Sequence, residues 1–141
     1  MISREQQILA AVIIYILGYL YSLVIANMVI VRESKINILH QHCFLKGKHL
    51  LPRGKNYYMT PFTTDEMKKR TDNCILTFWG LTHVILYAFL GYFCPDLFLE
   101  TFIAGFMFEA FEAQYYDCHD LFDIFLNTLG FGIGWTLRSL S

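Results

Sequence analysis

The stretch ILAAVIIYILGYLYSLVIANMVIV, residues 8–31, runs for 24 positions without a charge. It lies between Arg4 and Glu5 on one side and Arg32, Glu33 and Lys35 on the other. As a helix it extends about 36 Å, against a bilayer core of about 30 Å. A cleaved signal peptide has a shorter apolar core of about 7–15 residues, so the run reads as a permanent anchor. Working outward, residues 74–93, 97–116 and 121–137 form three more apolar segments. Cys94-Pro95-Asp96 separates the first two of these, with Pro95 breaking the helix and Asp96 placed as an N-cap. The sequence therefore predicts an all-α fold: one membrane domain over 1–141, an integral bundle of about four transmembrane helices. Short turns make segments two to four antiparallel neighbours.

Charge is unevenly spread. Nine of the eleven Lys and Arg lie between Arg32 and Arg70, and seven of the twelve Asp and Glu lie between Asp96 and Asp123. The basic residues of the connection 32–73 include Lys46, Lys48, Arg53, Lys55, Lys68, Lys69 and Arg70. By the positive-inside rule this loop is cytosolic, which places the N-terminus on the opposite side. A connection of this length packs on a surface or a partner. The overall charge of −1 excludes no partner. The loop has aromatic residues but no RNA-binding signature, so lipid or protein is the expected contact and nucleic acid is not.

The four cysteines, Cys43, Cys74, Cys94 and Cys118, show no CxxC spacing. They read as single thiols used as small apolar residues. His119 beside Asp117 and Asp120, and His40 with His42 and Cys43, lack a second ligand pair at a recognised spacing, so neither a metal nor a cofactor is expected. Asp117 is placed to cap the fourth helix, with Asp120 in a capping-box position. No phosphate loop, nucleophile elbow or His-Glu-x-x-His motif occurs.

Each apolar segment carries small or polar residues at helical spacing: Gly18, Ser22 and Ala26; Gly80, His83, Tyr87 and Gly91; Thr101, Gly105, Glu109 and Glu112; Asp123, Asn127, Gly130 and Gly134. Steps of three and four put each set on one face. Gly18, Ser22, Gly105, Gly130 and Gly134 are the expected helix-packing positions, because small residues let backbones approach. Counted outward from the turn near Cys118, Glu112 falls opposite Asp123 and Glu109 opposite Asn127. With His83 these form a candidate polar cluster: Glu109, Glu112, Asp123, Asn127 and His83. Facing carboxylates share a proton, hold a cation or pair with a base. An internally satisfied clasp that fixes the hairpin accounts for the same residues, and the two readings stay open.

Glu112-Ala113-Gln114 followed by Asp120-x-x-Asp123-x-x-x-Asn127-x-x-Gly130-x-x-x-Gly134 resembles the signature of the VanZ-like membrane proteins. That resemblance implies a helix hairpin and an action on, or binding of, a lipid-linked or phosphate-bearing head group. The arginine that usually sits between the two parts is missing; Tyr115, Tyr116 and Asp117 occupy its place. More loosely, Trp79-Gly80-Leu81-Thr82-His83, Leu86-Tyr87, the turn from Gly91 to Pro95 and the acidic hairpin resemble small membrane proteins of large DNA viruses. That likeness implies a virion membrane beneath a capsid.

Three functions follow as expectations. The first is a non-enzymatic structural protein that anchors or scaffolds through its basic loop, with the lipid bilayer and other membrane or capsid-layer proteins as partners. The second is the VanZ-like activity, with Glu109, Glu112, Asp123 and Asn127 lining the pocket. The third, a proton or cation pathway, is least favoured, because the first segment has no ionisable residue of the acid or base type.

Overall fold

The computed structural model describes residues 2–30, 43–49, 51, 53, 73–115 and 119–141; of residues 22–30, 112 and 115 the backbone alone is described. Its elements are α1 (Arg4–Ile30), β1 (Cys43–Lys46), β2 (Cys74–Thr77), α2 (Phe78–Phe93), α3 (Phe98–Tyr115) and α4 (Phe122–Leu140).

The second apolar segment divides. Cys74–Thr77 is a strand paired antiparallel with Cys43–Lys46, and the Cys43 and Cys74 sulfurs are joined in a disulfide across a Cα–Cα distance of 5.7 Å. This corrects the reading of both residues as single thiols. Cys94 remains free and buried, and Cys118 lies outside the described residues. A disulfide also sits poorly with a cytosolic loop, since cytosolic thiols are kept reduced. Helix α2 starts only after β2, where Thr77 Oγ1 accepts from Gly80 N at 3.2 Å. It stops before Pro95, which cannot continue the ladder.

The transmembrane bundle is overturned: among the described residues no helix is long and apolar enough to cross a membrane. The pairing of Cys74–Thr77 leaves α2 with 16 residues, about 24 Å of helix. Helix α3 carries Glu100, Glu109 and Glu112, and α4 is interrupted by Asp123, Asn127 and Arg138. The side chains described on α1, residues 4–21, open with the polar run Arg4-Glu5-Gln6-Gln7. The multi-pass assignment, the cytosolic placement of 32–73 and the virion-membrane location go with it, because all three depended on those spans.

The closest helix packing joins α2 to α4, which are not consecutive, instead of each helix to its successor. The two run in the same direction, with Val84 O over Gly130, Ala88 O over Gly134, and Tyr92 O accepting from Arg138 Nη1 at 2.7 Å. A Cβ on Gly130 would lie 2.4 Å from Val84 O, and one on Gly134 1.9 Å from Ala88 O. Only glycine admits a facing backbone this near. On the other helix, Gly91 plays the same part against Phe131 O.

Helix α1 packs antiparallel to α2 and is pinned at its start. Buried Gln7 donates through Nε2 to Asp96 Oδ2 at 2.7 Å and accepts from Asp96 N at 3.0 Å. Asp96 thus ties α1 to the α2–α3 turn. Arg4 and Glu100 form an exposed ion pair at the same end. Ala11, Tyr87, Leu90, Cys94, Leu97 and Phe131 form the apolar core, with Ala10, Ile14, Tyr15 and Leu86 packed against it.

Candidate functional site

A polar cluster occupies the end of the bundle beneath the strand pair. Its residues come from four places: His49 and Arg53 after β1, His83 on α2, Glu109 on α3, and Asp120, Asp123 and Asn127 at the start of α4. Steps of four on α3 (Thr101, Gly105, Glu109) and on α4 (Asp123, Asn127) turn these positions inward, and all five are buried.

His83 reaches both polar residues of α4. Its Nδ1 lies 3.0 Å from Asn127 Oδ1, and its Nε2 faces Asp123 Oδ2 at 3.5 Å. The Asn127 oxygen assigns the proton to Nδ1, so Nε2 carries the lone pair. Burial lowers the His83 pKa, against the raising effect of the Glu109 charge and the Asn127 hydrogen bond. Burial raises the Asp123 pKa well above the usual carboxylate value, and the Asp120 charge adds to this while Arg53 opposes it. Both shifts have one cause: a charge removed from water is disfavoured in either sign. Burial thus disfavours the imidazolium of His83 and the carboxylate of Asp123 alike.

The adjacent carboxylate is treated differently. Asp120 Oδ2 accepts from Arg53 Nε at 2.8 Å and lies 3.6 Å from His49 Nε2, with all three side chains at most 7% exposed. Arg53 Nη2 also donates to Cys74 O at 3.4 Å. Asp120 Oδ1 accepts from Phe122 N at 3.0 Å, and Glu109 Oε2 accepts from Asp120 N at 3.1 Å. Asp120 itself therefore holds the start of α4, the role the sequence had given to Asp117, which lies outside the described residues. A guanidinium hydrogen bond pairs this acid, whereas among the described residues Asp123 faces an imidazole.

Polar contact continues along the bundle. A Cβ on Gly105 would meet Tyr87 Oη at 2.6 Å and Asn127 Nδ2 at 2.8 Å, so the missing side chain makes room for both. Tyr87 Oη donates to Thr101 O at 3.2 Å and lies 3.2 Å from Tyr15 Oη. Burial pushes both phenols above the ordinary tyrosine value, so both stay protonated donors.

Of the residues expected from sequence, the structure brings His83, Asp123, Asn127 and Glu109 together. The Glu112 side chain lies outside the described residues, as does that of Ser22. Gly18 sits on Leu86 of α2. Among the basic residues, Lys46 and Lys48 are exposed, Arg53 is buried in the cluster instead of lying on the surface, and Lys55, Lys68, Lys69 and Arg70 lie outside the described residues. His49, Asp120 and Tyr15 were not expected as partners. Asp120 stood inside the quoted motif, but nothing local paired it with residues 67 and 71 positions upstream. Among the described residues, no three His, Cys, Asp or Glu side chains gather as metal ligands. The surface hollows at α4, one of 590 Å³ lined by Phe125, Leu129, Ile133 and Leu137, lie on its outer apolar face, away from the cluster.

No family model, no curated protein and no solved structure matches this chain. The VanZ-like and viral resemblances thus rest on the quoted residues alone.

Proposed function

We propose that the chain is a non-enzymatic assembly component, locked from within by its polar cluster and joined to further copies of itself through apolar outer faces. The observation that carries this reading is the inversion of α3. Thr101, Gly105 and Glu109 point inward, while Leu99, Phe102, Ile103, Phe106 and Met107 are exposed at spacings of three and four. A stripe of that period is the pattern of a helix that packs on another helix. Helix α1 exposes Leu9, Ile13, Ile16, Leu17 and Leu20, and α4 exposes Phe125, Leu129, Ile133 and Leu137. Contiguous apolar surface beyond a few hundred Å² marks an interaction site, and closed homo-oligomers are the commonest way to cover one. The cluster supports the same reading, because among the described residues His83 and Asp123 meet each other and Asp120 meets Arg53 and His49, all with buried or nearly buried side chains. The basic stretch 32–73 supplies a second, polar contact for an acidic partner surface.

The test is the mass of the purified chain in solution, by light scattering after gel filtration. The wild type should run as an oligomer, and Ile103→Lys with Met107→Lys should shift it toward monomer with the same far-UV circular dichroism. A wild-type chain that is monomeric at micromolar concentration ends this reading.

One observation favours a second reading, the binding of a phosphate-bearing head group. Arg53 arrives at Asp120 from elsewhere in the chain and supplies a guanidinium where this chain lacks the arginine that the VanZ-like pattern carries between Gln114 and Asp120. Calorimetric titration with inorganic phosphate and with a phosphate monoester tests it. Binding that vanishes in Arg53→Met supports it, and no heat in the wild type removes it.

A further inference from the structure

Two described side chains of the cluster, His49 and Arg53, are not on the helices. They follow β1, which among the described residues is joined to the bundle by its disulfide, by a short ladder to β2 and by the edge-on contact of Phe44 with Phe78. Each strand has four residues, and the register shifts between Cys43 and Leu45 and again between Leu45 and Lys46. An isolated two-stranded pair is marginally stable in water. Beyond it, Gly47 N donates to Asn73 O at 2.8 Å. The chain then places the His49 ring edge-on against Phe122, and Arg53 on Asp120. The residue that carries the inner sulfur, Cys74, also offers its carbonyl to Arg53.

We propose that the Cys43–Cys74 disulfide is a redox latch on the polar cluster: its reduction frees the segment carrying His49 and Arg53 and opens Asp120, Asp123 and His83 to water. Cys74 is fully buried and Cys43 is half-buried, so Cys43 Sγ is the sulfur a thiolate can reach. Attack there by one thiolate of a dithiol forms a mixed disulfide and expels the Cys74 thiolate, which takes up a proton. The second thiolate of the reagent closes on the first sulfur and releases Cys43 as a thiol. Two electrons pass from the dithiol, which becomes a cyclic disulfide, to the protein, which gains two thiol protons. With the covalent tie gone, the described contacts of the strand pair are its short ladder and the Phe44–Phe78 edge contact, a marginal hold for a two-stranded pair. Asp120 then exchanges a buried guanidinium for water, a path to solvation that the closed form denies it.

This latch does not depend on the assembly reading and is tested separately. Folded wild-type protein is treated with dithiothreitol, then with diethyl pyrocarbonate, and histidine modification is mapped by peptide mass spectrometry. The oxidised protein should protect His83 and His49, and reduction should raise their modification rates by about tenfold or more. Cys94, buried in the apolar core beside Gln7, is the internal control: it should stay unreactive to iodoacetamide in both states. The Cys43→Ser, Cys74→Ser double variant should show the fast histidine rates without reductant. Unchanged protection of His83 after reduction would overturn the latch. So would alkylation of Cys94 at the same rate as Cys43 and Cys74, since that means the whole bundle opens and not one end of it.

Discussion

Replacing Gly134 by alanine tests the α2–α4 contact that holds both walls of the cluster in place. The new Cβ would stand 1.9 Å from Ala88 O and 2.8 Å from Tyr92 N. Ordinary contact begins at 3.4 Å, so the helices must part by roughly 1.5 Å, enough to forfeit half or more of each facing dispersion contact. The obstacle is backbone and no rotamer relieves it, which puts the overpacking penalty at the upper part of the usual range of about 1–3 kcal/mol or beyond. Alanine returns about 1 kcal/mol of helix propensity. The net expectation is a loss of about 1–3 kcal/mol. Gly132, two positions away on the same helix, supplies the control, because a Cβ there meets nothing within 4 Å. Gly132→Ala should stabilise by about 0.5–1 kcal/mol. The two variants should therefore differ by about 1.5–4 kcal/mol in urea unfolding followed by far-UV circular dichroism, with similar slopes. Equal midpoints for both would refute the close approach of α4 to the α2 backbone.

Removing one partner of the buried Arg53–Asp120 pair leaves a charge stranded, so Arg53→Met should destabilise by about 3–5 kcal/mol, and adding Asp120→Asn should recover much of that; full additivity in a double-mutant cycle would argue against the pairing. The pH profile should carry two opposed signatures. Asp123 has a raised native pKa, so its contribution is complete below the unfolded value of 3.8 and is lost as pH rises through the native one. Asp123→Asn should remove that alkaline-side decline in Tm, and an unchanged profile would show that Asp123 is not buried as an acid. His83 has a lowered native pKa, so its contribution is complete above the unfolded value of 6.5 and is lost as pH falls through the native one; His83→Gln should flatten the acid side. At the other end, Gln7→Ala should cost about 1–2 kcal/mol by removing two hydrogen bonds to the exposed Asp96, and amide exchange at Asp96 should speed up.

The helical segments were legible in the sequence because their signals are local. Apolar runs, the break at Pro95 and the steps of three and four that align Gly130 with Gly134, or Thr101 with Gly105 and Glu109, all operate within a few turns. The inward faces of α2, α3 and α4 follow from the same periodicity. What composition obscured was length and partnership. A mostly apolar run at 74–93 reads as one helix, yet its first four residues have a strand partner 31 positions upstream, and no periodic signal in four residues separates strand from helix. The pairing of Cys43 with Cys74, of Arg53 with Asp120, and of His83 with Asn127 joins positions 31, 67 and 44 apart. The sequence by itself determined which residues turn inward, because that is set by 3.6 residues per turn. Only the tertiary structure decided which of them meet, because chain closure over tens of residues is chosen by the summed packing and burial of the whole fold and leaves no mark in the local spacing of either partner.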